Sequence, residues 1–466
     1  MKEEGKRITA IMEKHTSAVL LFFTFVLLSF TGTGIPSIVS AAGILLSITG
    51  FTAEKLKTDM WITGFMLGGL VLCGISSLRT GGNLREGYTE LFAIYPVLYV
   101  LFTSLDREEG KLLRRLCILW SELVAAEGIL AFILESFRGT AARSEGIIGN
   151  ANEMGIFLVL AWFAVMCRRK EEQEESSLTD KITRAMEPLI PSALALTLSM
   201  GSFLSLCFGM IIYGWQLWKD EGKSLRSAAG ELIALTGEMS LYIGTGMLMN
   251  LSERKMDVPA AVLLPAAYIV VLCLYGKVLS GFFRRHSSAG AVFTCAGAAG
   301  GIAAVLLRPG AGYNFMVRLD MMKNGLGYLM EHPLLGVGAN QWRMLNLEEG
   351  TEYFRTWHIH NSFLHLAVEL GIGGGILLAA IFIRALAKKE NRKARPAVGA
   401  FILHNLIDTS FFYFADTTLL MFSNRAESGR EKTLSQAEGK FFFGLSGLYF
   451  LYTLVSGLWT AIQGGL

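Results

Sequence analysis

Residues 189–218 read LIPSALALTLSMGSFLSLCFGMIIYGWQLW. The stretch is apolar throughout, and a helix spanning a bilayer needs about 20 such residues. It is long for one upright helix and short for two. Either it is one tilted helix, or two short segments hinged at Ser199-Met200-Gly201-Ser202. Loop charge decides. The loop 168–187 carries Arg168, Arg169, Lys170, Lys181 and Arg184, and the loop 386–395 carries Lys388, Lys389, Arg392, Lys393 and Arg395. An excess of Lys and Arg marks cytoplasmic loops, so an even number of crossings separates these two. The apolar runs between them are 189–218, 231–250, 259–280, 289–307 and 359–385. Only a double count of 189–218 makes the number even, so the run is expected to break near Ser199.

Further apolar runs lie at 17–31, 34–51, 60–77, 89–105, 111–134, 152–168, 396–422 and 440–462. The expected fold is an all-α polytopic membrane protein of about 12–14 transmembrane segments. Composition agrees. The 466 residues are 52% hydrophobic and 17% charged, with a mean hydropathy of +0.45, where a soluble domain carries nearer a quarter charged residues. A net charge of +3 gives no reason to expect nucleic acid. Lys2, Lys6, Arg7 and Lys14 precede the first run and are expected to hold the N-terminus in the cytoplasm. The six cysteines (Cys73, Cys117, Cys167, Cys207, Cys273, Cys295) lie in or beside apolar runs without a C-x-x-C pair. They read as small hydrophobes, with no disulfide or thiolate metal site.

The same topology divides one membrane domain into helices over 1–307, an external loop over 308–357 and helices over 358–466. Within the loop, Asn314 is positioned to cap a helix over about 315–331, which Pro333 ends. Phe315, Leu319, Met322, Leu326 and Leu329 would form its apolar stripe. Gly336-Val337-Gly338 then supplies a turn before Trp342.

Beyond the loop, His358-Ile359-His360-Asn361-Ser362-Phe363-Leu364-His365 opens into the run 359–385. Polar groups clustered at the mouth of a membrane helix usually serve binding or chemistry. On an ideal helix His358, His365 and Glu369 share one face and His360 points nearly opposite. Three readings stand at this point: a divalent metal held by that face, a histidine acting as general base, and polar residues paired with loop groups. Arg318 could hold an anionic group such as a diphosphate, or could snorkel to water. Glu122, Glu127, Glu238, His404, Asp408 and Asp416 are the other polar groups inside apolar runs. Glu122 and Glu127 do not share a face, whereas His404 and Asp408, four apart, can bond within one helix.

Several of these elements resemble the O-antigen ligase and polymerase superfamily. His360-Asn361, nine residues, then Gly371-Ile372-Gly373-Gly374 is similar to its H-N-x9-G-x-x-G signature. Arg318 followed by Glu331-His332-Pro333-Leu334-Leu335-Gly336-Val337-Gly338 is similar to its external loop, and Gly149-Asn150-Ala151-Asn152-Glu153 to its G-N-x-N element. The resemblance implies a C-type glycosyltransferase fold. It implies transfer of a glycan from an undecaprenyl-diphosphate carrier to a glycan or lipid acceptor hydroxyl, with inversion and with neither metal nor cofactor. It also implies work at the outer face of the cell membrane. His360 falls on the catalytic histidine, and Arg318 on an arginine that contacts the diphosphate. Asn361, Asn150 and Asn152 fall in the motifs around the substrate.

One element departs from the family. Thr197-Leu198-Ser199-Met200-Gly201 stands where a T-x-S-R-G element is usual, so Met200 replaces a second diphosphate-binding arginine. Such a loss costs about 1.5–3 kcal/mol of binding. Arg143 or Arg138, in the loop before Asn150, is a candidate to replace it. The expected function is a polysaccharide ligase or polymerase. The alternatives are a transporter or flippase of lipid-linked sugars and a non-catalytic relative.

Overall fold

In lipid every backbone polar group must be satisfied within the chain, so the apolar runs fold as helices. The computed structural model describes residues 16–30, 36–81, 88–141, 143–171, 178–255, 259–306, 310–388, 392–423 and 431–463. Lys2, Lys6, Arg7, Lys14 and Lys389, used above to orient the chain, lie outside them. Seven helices among the described residues are long and apolar enough to cross a membrane, and four shorter apolar helices accompany them. The only strands described are Leu56–Thr58 and Lys432–Leu434, a short antiparallel ribbon pairing Leu56 with Leu434.

The break expected in 189–218 is present. Helix Leu189–Thr197 stops where Leu198 turns left-handed at φ 48°, and helix Met200–Trp215 begins at once. Ser199 is its cap, the hydroxyl accepting from Ser202 N at 3.4 Å. A left-handed leucine costs about 1–2 kcal/mol, so this hinge is held by its surroundings.

Two further runs are also broken, which hydropathy alone did not reveal. The run 359–385 divides into helices Ser362–Leu370 and Ile372–Ala387 at Gly371, φ 79°. The run 396–422 divides into Arg395–Asn405 and Phe414–Ser423. Asn405 causes the second break, because its Oδ1 accepts from Phe411 N at 2.7 Å and from the Ser362 hydroxyl at 2.7 Å. Asp408 therefore lies in an irregular segment, and the single helix expected to carry both His404 and Asp408 ends at Asn405.

The helix of the 308–357 segment runs Ala311–Glu331, and Asn314 lies inside its first turn instead of capping it. Its expected apolar stripe is split: Phe315, Leu319 and Leu326 are 57%, 42% and 48% exposed, whereas Met322 and Leu329 pack against the inward cluster. The inward face is centred on Met321, which packs with Trp342, Ile359 and Val368. Trp342 fixes that rotation, its Nε1 donating to Asn324 Oδ1 at 2.9 Å.

The described chain forms two compact units. The first comprises Met1–Cys117, Val317–Arg392 and Asn405–Leu466. In it Gln436–Gln463 lies close along Pro36–Thr52, with the Phe450 ring over Gly43 and Ser40 bonded to Thr453 at 2.8 Å. Small residues permit such approach in membranes. Asp59 caps helix Met60–Thr80 and pairs with Lys388 at 2.6 Å and Arg384 at 3.1 Å. Burial pushes its carboxyl up. Lys388, the Ile62 N–H and Arg384 more than offset this and leave it below the ordinary carboxylate range.

The second unit comprises Ile118–Met316 and Lys393–His404. Its centre is helix Ala151–Glu171, apolar all round and 94% buried over its spanning window. Glu122 is fully buried, and Glu127 accepts from Ile147 N at 3.1 Å, so the two carboxyls serve separate surroundings.

Candidate functional site

The residues expected at the site divide between the units. His360, Asn361 and Arg318 belong to the first, and Arg143, Asn150 and Asn152 to the second.

In the first unit Asn361 ends the incoming loop. Its backbone is extended and its Oδ1 accepts from Leu364 N at 3.0 Å, which starts helix Ser362–Leu370. Asn361 is thus a helix cap, and His360 sits just ahead of it. The Ser362 hydroxyl reaches Asn405 and, at 3.4 Å, the carbonyl of Asp408, which draws the irregular segment against the cap. Asp408 Oδ1 then lies 2.8 Å from His360 Nδ1, and Asp408 Oδ2 accepts from Arg318 Nη2 at 3.0 Å. Arg318 Nη1 also donates to the Ile407 carbonyl at 2.6 Å.

Burial separates these three side chains by task. Asp408 is 3% exposed, against 24% for His360 and 25% for Arg318. A buried carboxylate needs a cation and donors, and here it has both. The geometry assigns the Nδ1–H of His360 to Asp408, which leaves Nε2 as the acceptor. Nε2 has no hydrogen-bond partner among the described residues. Arg318 carries five N–H groups and uses two, so three remain for a ligand.

Beneath this cluster lies a rigid support. The Glu369 carboxylate accepts from Tyr88 Oη at 2.5 Å, Asn340 N at 2.8 Å and Trp342 N at 3.1 Å. It thereby caps helix Gln341–Glu348. His365 Nε2 stands 3.5 Å from it, and His358 stacks on Phe412 at 4.3 Å, ahead of the helix. The face of His358, His365 and Glu369 is therefore occupied by packing and capping. The turn Pro333–Gly338 docks on the Gly371 break: Val337 N donates to Val368 O, Gly338 N to Glu369 O and Ile372 N to Pro333 O, each at 2.9 Å. A side chain on Gly371 would come within 2.1 Å of the Leu334 carbonyl.

In the second unit Asn150 caps helix Ala151–Glu171, its Oδ1 accepting from Asn152 N at 2.8 Å. Arg143 bridges the Asn150 element and the broken run. Its Nη2 donates to Asn152 Oδ1 and its Nε to the Thr197 carbonyl, both at 2.7 Å. Ser202 Oγ bonds Asn152 O at 3.1 Å and His404 Nε2 at 3.3 Å. Arg143 thus reaches the hinge that carries Met200, whereas Arg138 ends helix Arg107–Arg138 on the surface.

Asp408 is the residue whose place was missed. An ideal helical period paired it with His404, and only the break after Asn405 frees it to meet His360.

Comparison with known proteins gives one result. Residues 189–379 match the family model described as O-Antigen ligase, and no curated protein matches the chain. The matched span holds the hinge at Leu198, Arg318, the Pro333–Gly338 turn, His360 and the Gly371 break. The chain is an all-α multi-pass membrane protein, and its residues 189–379 are similar to the O-antigen ligase family, whose members are of glycosyltransferase type.

Proposed function

We propose that this protein transfers a glycan from an undecaprenyl-diphosphate carrier to an acceptor hydroxyl during cell-surface polysaccharide synthesis. His360 Nε2 removes the proton of the acceptor hydroxyl. The oxygen attacks the anomeric carbon from the face opposite the carrier, the bond from that carbon to the diphosphate oxygen breaks, and the configuration inverts. Asp408 holds the imidazole through Nδ1 and stabilises the imidazolium that forms. Base catalysis of this kind contributes about 10²–10⁴-fold.

The diphosphate leaves as an anion, so placing cations on it supplies much of the remaining acceleration. Arg318 has free N–H groups for this role. Arg143, braced on Asn152 and Thr197 O, is the second cation in place of the arginine that Met200 replaces. Asn152 acts by holding Arg143, Asn150 by capping the helix that carries Asn152, and Asn361 by setting His360 ahead of its helix. The reaction needs no metal or cofactor in this scheme. The site lies on the extracytoplasmic side of the cell membrane, with 308–357 outside and the N-terminus in the cytoplasm, as loop charge implies.

The observation that carries this reading is the His360–Asp408 contact, with Arg318 on the second carboxylate oxygen. The test is turnover by detergent-purified protein. With no bilayer to cross, a transferase joins glycan to acceptor and releases undecaprenyl diphosphate. A flippase, or a relative without activity, leaves both reactants unchanged.

A further inference from the structure

We propose that the basic cavity at the Arg169–Arg284 end of the second unit binds the phosphate headgroup of an anionic phospholipid. The cavity, of about 530 Å³, is framed by the ends of four helices. Arg169 and Lys170 come from Ala151–Glu171, Tyr213 from Met200–Trp215, Ser227 from Leu225–Lys255, and Ser280 with Arg284 from Leu263–Arg285.

Its charges do not cancel. Arg168 and Arg169 pair with Glu187, and Arg169 also with Glu238 at 2.9 Å. Lys170 pairs with Glu221 at 2.5 Å, and Lys223 with Glu221 at 3.2 Å and with Glu231. Those four cations match those four carboxylates. Arg284 also lines the cavity, and its side chain has no hydrogen bond or ion pair among the described residues. A guanidinium left over beside two serine hydroxyls suits a phosphate diester.

The surroundings specify lipid as the source. Trp215 and Trp218 follow Tyr213 and are 58% and 36% exposed, and Lys219 Nζ lies 3.8 Å over the Trp218 ring. Exposed tryptophans beside a lysine mark the level of lipid headgroups. Met166, Ala234 and Leu235 give the cavity an apolar wall for the glycerol end of the lipid. Loop charge puts this end in the cytoplasmic leaflet, where anionic lipids gather and where basic pockets between helices take their headgroups. Asn152, which holds Arg143, is 17 residues from Arg169 along one helix, about 25 Å away, so the site is separate from that cluster. This inference does not rest on the transferase reading.

Delipidated protein in neutral detergent is titrated with phosphatidylglycerol, phosphatidylcholine and inorganic phosphate while its unfolding midpoint is followed. Phosphatidylglycerol is expected to raise the midpoint saturably and phosphatidylcholine to leave it unchanged. Arg284→Gln should weaken the response about ten-fold or more. Gly230→Leu should abolish it, because an added side chain there enters open space within the cavity wall. Equal responses to both lipids, or an undiminished response in both variants, would overturn the proposal. So would a saturable response to inorganic phosphate that Arg284→Gln abolishes, with none to phosphatidylglycerol, which would assign the site to a free anion. Glycan transfer by the two variants is read separately, so neither result decides the other.

Discussion

Asp408 divides its carboxylate between His360 and Arg318: Oδ1 lies 2.8 Å from the imidazole Nδ1 and Oδ2 3.0 Å from the guanidinium Nη2. One buried anion thus holds the imidazole and the guanidinium together, the two groups proposed as the base and as the cation facing the leaving group. Asp408→Asn keeps the shape and removes the charge. Transfer should fall about 10²–10⁴-fold, the range that base catalysis spans. Groups that act as one unit are not additive, so Asp408→Asn combined with His360→Ala should be no slower than His360→Ala alone. Rates measured on equal amounts of membrane-inserted protein check this.

Arg143 stands at the hinge where Met200 replaces the family's arginine. Arg143→Gln should weaken donor binding by about 1.5–3 kcal/mol, read as a raised KM for the diphosphate-linked glycan. Adding Met200→Arg to that variant should restore part of the loss, because it returns a guanidinium to the position where the T-x-S-R-G element carries one. Unchanged donor KM in Arg143→Gln would remove Arg143 from the site.

Glu369 is fully buried and accepts from Tyr88, Asn340 and Trp342. Glu369→Gln turns an amide toward backbone N–H donors and should cost about 1–3 kcal/mol of stability. The expected readout is a lowered unfolding midpoint and faster proteolysis within 332–350. If the variant retains wild-type stability, the carboxylate is not the cap of helix Gln341–Glu348.

Asp59 ties the start of helix Met60–Thr80 to Lys388 and Arg384. Its folded pKa lies below the ordinary value of 3.8. A depressed carboxyl stabilises the fold above its unfolded pKa, and that contribution is lost as pH falls through the folded value. Asp59→Asn keeps a capping oxygen but loses the charge. The unfolding midpoint of the wild type should therefore exceed that of Asp59→Asn at pH 6, and the gap should close in acid below about pH 3.8. A gap independent of pH would mean that the ion pairs contribute nothing.

Much of this organisation is legible in the sequence, and the exceptions share a cause. The hinge near Ser199 follows from loop charge and crossing parity, because topology is a global constraint that one broken helix cannot evade. The breaks at Gly371 and after Asn405 carry no such constraint. Hydropathy runs smoothly through both, and what breaks the chain is a side chain or loop arriving from elsewhere: Leu334 against Gly371, and Ser362 with Phe411 on Asn405. Periodicity failed at the Ala311–Glu331 helix for a similar reason. Trp342 and Ile359 select the face with Met321 and Asn324, which keeps Met322 and Leu329 of the expected stripe inside and turns Phe315, Leu319 and Leu326 outward. His360 and Arg318 are legible as residues. Their shared partner Asp408 is not, because it becomes available only when the apolar run containing it stops being a helix.

The most direct measurement is glycan transfer by purified His360→Ala against wild type, with a diphosphate-linked glycan and its acceptor hydroxyl in detergent and with insertion and unfolding midpoint matched. If the imidazole draws off the acceptor's proton, product formation should drop at least about 100-fold while the fold stays intact. A variant that forms product at close to the wild-type rate would contradict the account at its centre.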